Sequence, residues 1–170
     1  LGSNSVAIGA FALRDQNLTT ATNTYNVAVG YEAGGSITTG TGNTFVGGLA
    51  GDATDDGVGN TAVGYNSLSA NAANYNVAIG HESLVACTGT NNTSVGVVAG
   101  SSLTSGSNNI FIGRDAGVTG SPGGNITTAS NEIGLGDENI SAANIQVDWT
   151  VASDQRDKTD FTALDLGLDF

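Results

Sequence analysis

The sequence has no methionine, one proline, one cysteine and only four basic side chains in 170 residues. Each scarcity excludes something. The single Cys87 rules out an intrachain disulfide framework. No apolar run approaches the roughly 18 residues of a membrane span, and no basic-then-apolar signal segment is visible, so membrane insertion is not expected. Aromatic side chains make up 6% of the chain. Val, Ile and Leu must therefore do most of the burying, which suits thin layers in a closely packed backbone better than a thick globular interior. Positive charge is scarce as well. Residues 1–152 hold eleven acidic side chains against Arg14 and Arg114, a net −9 within a chain total of −12. Such a surface repels phosphate backbones and anionic headgroups, so nucleic acid is not an expected partner. The chain opens at Leu1 partway through a repeated phrase, and the expectation is a piece of something longer.

What is abundant is glycine, 26 residues of it, placed in a repeat. "NVAVGYEAG", "NTAVGYNSL", "NVAIGHESL", "NTSVGVVAG" and "NIFIGRDAG" are versions of one phrase. Internal periodicity of this kind outranks every other signal. Aligned on the glycine after the apolar pair, the copies fall at Gly9, Gly30, Gly47, Gly64, Gly80, Gly96, Gly113 and Gly134, at spacings of 21, 17, 17, 16, 16, 17 and 21. A β-branched residue precedes each glycine: Ile8, Val29, Val46, Val63, Ile79, Val95, Ile112 and Ile133. Two residues further back stand Val6, Val27, Thr44, Thr61, Val77, Thr93 and Ile110, before Asn131 breaks the rule. Period-two spacing of such residues predicts a short strand with that stripe turned inward. Asn26, Asn43, Asn60, Asn76, Asn92 and Asn109 open six of the strands. An asparagine there can bond its own backbone or stack on its copy in the next rung. Small residues follow three positions after the glycine, and then either Leu13, Leu68 and Leu84 or Gly34, Gly51, Gly100 and Gly117.

A recurring glycine fits a corner that needs positive φ. The Gly/Ser/Thr/Asn/Asp stretches between phrases read as return loops. A unit of 16 or 17 residues is too short to fold alone, and stacking supplies its missing contacts. The predicted fold class is therefore all-β: a repetitive β-solenoid or β-roll rod of about eight rungs over residues 1–140, roughly 40 Å long at the usual strand spacing. Residues 141–152, which contain Trp149, are expected to form a terminal strand or neck. A rod with so thin an apolar stripe leaves a flank and strand edges open, and a threefold partner would cover them.

The phrase N-x-[VIT]-x-[VI]-G with a small residue three positions on resembles the head repeat of trimeric autotransporter adhesins of the YadA type, a left-handed β-roll. It is also similar to fibre repeats of phage tail proteins. Either resemblance implies a homotrimer. The C-terminal end separates them: "ASDQRDKTDF" is similar to the opening of the intramolecular chaperone domain of endosialidase-type tail fibres, matching at Ser153, Asp154, Arg156, Lys158, Thr159, Asp160 and Phe161. By that resemblance residues 153–170 begin a chaperone domain, truncated here, and the chain belongs to an extracellular virion tail fibre. Its implied partners are two further copies, other tail proteins and a host cell-surface glycan or protein receptor. The family's chaperone is released by its own serine, which assigns Ser153 as nucleophile, Lys158 as base and the bond next to Asp154 as the target. A serine hydroxyl needs such a base, and a lysine serves once desolvation lowers its pKa. This is single-turnover autoproteolysis; no turnover enzyme and no cofactor are expected. "TALDLGLDF" has capping-box spacing between Thr162 and Asp165, which predicts the start of a chaperone helix.

Other readings stay open. A bacterial surface adhesin is the alternative within the same structural class. A glycan-cleaving tail spike would need paired carboxylates about 5 to 9.5 Å apart over a groove. An ice-binding solenoid would need a flat threonine array, whereas Thr44, Thr61 and Thr93 alternate with Val on the inferred core stripe. His81 takes the position of Tyr31 and Tyr65 in sister repeats, which points to an exposed or inter-rung role. Asp52, Asp55 and Asp56 lack the spaced ligand set of a calcium loop, so no metal is expected. Tyr25, Tyr31, Tyr65 and Tyr75 are either inter-rung packing or faces for stacking sugars. The Asn17 and Asn125 sequons follow from Asn/Thr-rich loops, and Cys87 reads as a buried or loop thiol.

Overall fold

A computed structural model describes residues 4–17 and 23–144. Eight three-residue strands follow one another: β1 (Val6–Ile8), β2 (Val27–Val29), β3 (Thr44–Val46), β4 (Thr61–Val63), β5 (Val77–Ile79), β6 (Thr93–Val95), β7 (Ile110–Ile112) and β8 (Ile133–Leu135). They form a single parallel sheet in sequence order, each strand bonded to the next. No helix occurs among the described residues. The architecture is an all-β solenoid, in which every coil is itself the crossover that parallel neighbours require.

The register repeats rung by rung, with Val27 beside Thr44, Thr44 beside Thr61 and Thr61 beside Val77. A second backbone ladder runs along the corner: Gly34 N–H donates to the Ala50 carbonyl at 2.9 Å, Gly51 to Ser67 at 2.9 Å and Leu68 to Ser83 at 3.0 Å. A third ladder is built from side chains. Asn43 donates its backbone N–H to Asn26 Oδ1 at 2.9 Å, Asn60 to Asn43 Oδ1 at 2.8 Å, and so on to Asn109. Each amide Nδ2 also donates to its own return loop, as Asn43 does to the Gly57 carbonyl at 2.7 Å and Asn60 to Ala73 at 2.7 Å. All six asparagines are fully buried. They replace backbone pairing where the chain leaves the sheet and bends, so that buried donors and acceptors stay satisfied.

The phase of the strands differs from the sequence expectation. The middle residue of each inner strand is buried (Ala28, Phe45, Ala62, Ala78, Ser94 and Phe111), while the Val/Ile/Thr pairs on either side of it point outward. Alternation was legible, but a strand's two faces are separated by a single residue, and choosing the wrong one inverts the whole stripe. The coil is too narrow to hold two branched side chains per rung. It is filled by the middle residue, by the small residue and the Leu or Gly after it at the corner, and by one residue of each return loop: Gln16, Ile37, Thr54, Ala72, Cys87, Leu103 or Ile126.

The choice between Leu and Gly at the corner follows from the two phenylalanines. A Cβ on Gly51 would lie 2.6 Å from Phe45 Cζ, and one on Gly34 2.9 Å from Phe45 Cδ2. Gly100 stands likewise 2.7 Å from Phe111 Cδ2, and Gly117 is closer still to the same ring. Where the strand centre is only alanine, at Ala62 and Ala78, Leu68 and Leu84 occupy the interior instead. Constant packing density is thus kept by exchanging volume between two columns.

The eighth corner lies two residues later than the glycine spacing predicts. Ile133, Gly134 and Leu135 pair with Ile110, Phe111 and Ile112, so the corner glycine of the eighth rung is Gly136, and Gly134 is the inward residue beneath Phe111. The preceding return loop is longer, which hid the register. The other corner glycines, from Gly9 to Gly113, lie between φ 111° and 143°. A Cβ on Gly64 would meet the Gly80 carbonyl oxygen at 2.6 Å, so backbone conformation and the next rung both require glycine.

Candidate functional site

The outward strand face is the principal surface feature. It consists of two parallel columns. One runs through Val6, Val27, Thr44, Thr61, Val77, Thr93, Ile110 and Ile133; the other through Ile8, Val29, Val46, Val63, Ile79, Val95, Ile112 and Leu135. No residue in either column carries a charge. Ile79 is 40% exposed, Ile112 48% and Ile133 63%, far above what side chains of this size show in a finished interior. Together they make one continuous apolar strip along the rod.

Aromatic side chains border the strip on both flanks. Tyr31, Tyr65 and His81 occupy the position just after the corner glycine, and Tyr65 stacks on His81 with ring centroids 5.6 Å apart. Phe11 meets Tyr31 edge-on at 6.0 Å. On the other flank Tyr25 and Tyr75 are both exposed, and Tyr75 lies across the bare backbone of Gly59. The His81 imidazole is 3.9 Å from the Glu82 carboxylate. The Glu32 carboxylate, by hydrogen bonding, raises the Tyr31 hydroxyl above its ordinary pKa.

The rest of the described surface is acidic. Its two cations, Arg14 and Arg114, each pair with the aspartate that follows, Asp15 at 2.9 Å and Asp115 at 3.0 Å. The hydrogen bond from Arg14 holds the Asp15 carboxyl below the usual carboxylate range.

The other sequence candidates are placed as follows. Ser153, Asp154 and Lys158 lie outside the described residues, as do the neck strand around Trp149 and the Thr162–Asp165 capping pair. Asp52 accepts a hydrogen bond from Ser69 Oγ at 2.5 Å and Asp55 one from the Thr38 hydroxyl, both contacts between rungs. Among the described residues no three His, Cys, Asp or Glu side chains come together as a metal-ligand set, and no cleft opens. Cys87 is fully buried in the return-loop column that Ile37 and Leu103 occupy in other rungs. Burial raises its thiol pKa above the ordinary 9.0, while contacts from Gly89 and Asn92 act the other way.

The sequence pattern points to the strand face as core, because Val and Ile are more apolar than the residues between them. The signal that gives it away is Phe45 and Phe111. The largest apolar side chains of the repeat stand in the opposite phase to Val and Ile, where only an interior position accounts for the glycines beside them. The chain matches no protein-family model, no curated protein and no solved structure.

Proposed function

We propose that the chain is a shaft or receptor-binding segment of a trimeric phage tail fibre, extracellular in the virion, in which three copies meet through their strand faces. The carrying observation is the uncharged Val/Ile/Thr strip on an otherwise acidic rod. Two copies approaching by any other side bring like charges together, whereas the strand face is apolar, free of charge and bordered by tyrosines, the composition of an interface core and its rim. A solenoid with this face bare would expose about eight rungs of branched side chains, which is an aggregation liability rather than a stable surface. The resemblance of the C-terminal segment at Ser153, Asp154, Arg156 and Lys158 favours a tail fibre over a surface adhesin. In this reading residues 153–170 begin a chaperone that assembles the three chains and is then released by Ser153 with Lys158 as base. The partners are two further copies, neighbouring tail proteins and a host glycan or protein receptor.

Light scattering on the purified chain tests the assembly. The expected mass is three times 16.8 kDa. Val63→Asp, which sets carboxylates into the shared face, is expected to abolish it. A folded monomer at micromolar concentration would refute the reading. Cleavage is tested on the gene product that carries the complete chaperone, by denaturing electrophoresis and mass spectrometry. Ser153→Ala and Lys158→Arg are both expected to leave it uncut, since a guanidinium stays protonated and cannot act as base.

A further inference from the structure

Three residues of the strand face are not apolar. Thr44, Thr61 and Thr93 stand in the column otherwise made of valine and isoleucine, each partly buried within one chain. Among the described residues their hydroxyls have no hydrogen-bond partner. In the return loops several hydroxyls serve as rung-to-rung connectors: Thr88 Oγ1 donates to the Thr104 carbonyl at 2.9 Å and Thr104 Oγ1 to Thr127 at 3.0 Å. Likewise Ser107 Oγ accepts from the Thr90 N–H at 3.1 Å. The strand-face hydroxyls have no such duty. Once the face is covered they lose water, and a hydroxyl left dry without a partner is costly.

Resting on the trimer reading above, we infer that these three threonines fix the register between copies: Thr44, Thr61 and Thr93 of each chain meet their own counterparts and exchange hydrogen bonds across the shared face. The spacing of the three threonines along the rod sets this alignment. Thr44 and Thr61 lie on adjacent rungs, while Thr93 lies two rungs beyond Thr61. Intervals of one and then two rungs read differently in the two directions, so no antiparallel alignment superposes the set. A parallel alignment displaced by one rung sets Thr61 opposite Val77 and Thr93 opposite Ile110. Only the parallel, unshifted arrangement gives every hydroxyl a hydroxyl partner. An all-Val strip would pack almost equally well after a one-rung slip, because successive rungs present the same backbone and similar side chains. A few polar positions in an apolar seam are a known means of suppressing such slips.

The test is cysteine cross-linking of the whole 170-residue chain. Val77→Cys lies in the same column between Thr61 and Thr93, and the unsubstituted chain, whose Cys87 is buried, serves as the blank. Oxidation is expected to join two chains of each trimer through Cys at 77, giving a dimer band on non-reducing electrophoresis. Adding Thr44→Val, Thr61→Val and Thr93→Val is expected to leave the mass by light scattering unchanged while most of the dimer band is lost. If the triple-valine variant cross-links as completely as Val77→Cys alone, the threonines do not set the register. If Val77→Cys fails to cross-link although scattering reports three chains, the parallel unshifted arrangement is wrong while the trimer stands. A folded monomer from the unsubstituted chain would remove the reading on which the inference rests.

Discussion

Gly51 and Phe45 should show a reversal of sign when they are mutated together. In the unaltered protein Gly51→Leu places a Cβ 2.6 Å from the Phe45 ring, with the rest of the side chain directed into the same space. Overpacking of that kind costs about 1–3 kcal/mol or more. Phe45→Ala alone removes a fully buried ring and is expected to cost about 3–5 kcal/mol. With Phe45 gone, however, Leu at position 51 recreates the Ala62/Leu68 and Ala78/Leu84 rungs. Backbone conformation permits it: Gly51 has φ 59°, against 51° for Leu68 and 50° for Leu84. Burying a leucine returns about 1.5–3 kcal/mol, and the left-handed backbone takes back about 1–2. A net gain of about 1 kcal/mol over Phe45→Ala remains, incomplete because the gap beside Gly34 stays open. The assay is circular dichroism through thermal and urea denaturation at one fixed protein concentration, so that any association contributes equally to every variant. Gly51→Leu should lower the midpoint in the wild-type background and raise it by roughly 2–4 °C in the Phe45→Ala background. If it is destabilising in both, the two columns do not exchange volume and the account of the core is wrong.

Asn60→Ala removes the acceptor of the Asn76 N–H and the donor to the Ala73 carbonyl, leaving buried groups unpaired; a loss of about 2–4 kcal/mol in urea denaturation is expected, and a loss below about 0.5 would contradict the asparagine ladder. Gly80→Val, at φ 136° and against the Gly96 carbonyl, should abolish folding, while Val97→Thr on the exposed neighbouring position should shift the midpoint by about 0.5 kcal/mol or less; equal losses would mean the rungs are misaligned. Cys87 should resist a thiol reagent at neutral pH until the protein unfolds, and a rapid native reaction would place it outside the core. Because burial raises its folded pKa above its unfolded one, the contribution from Cys87 is fully present below the unfolded value near 9 and is lost as pH rises from there through the folded value. Cys87→Ala should therefore flatten the alkaline limb of a stability–pH curve, and an unchanged limb would refute the assignment.

Much of this protein is local, and the local part was legible in the sequence. A coil of 16 or 17 residues repeats its hydrogen bonds with its neighbour, so the phrase, its corner glycine and its stacked asparagine are written at every rung, and the parallel all-β solenoid follows from their spacing. What the sequence left undecided was which face of each three-residue strand closes on the interior. Val27 and Val29 are more apolar than Ala28, and by hydropathy alone they belong inside; only the narrowness of the closed coil excludes them. That narrowness depends on corner, strand and return loop converging from separate parts of the chain. The same convergence explains why Phe45 requires Gly34 and Gly51, why Cys87 takes the place of an isoleucine, and why Gly136 rather than Gly134 turns the last corner. Period two identified the strands, but volume, a property of the assembled coil, decided that their β-branched residues face outward.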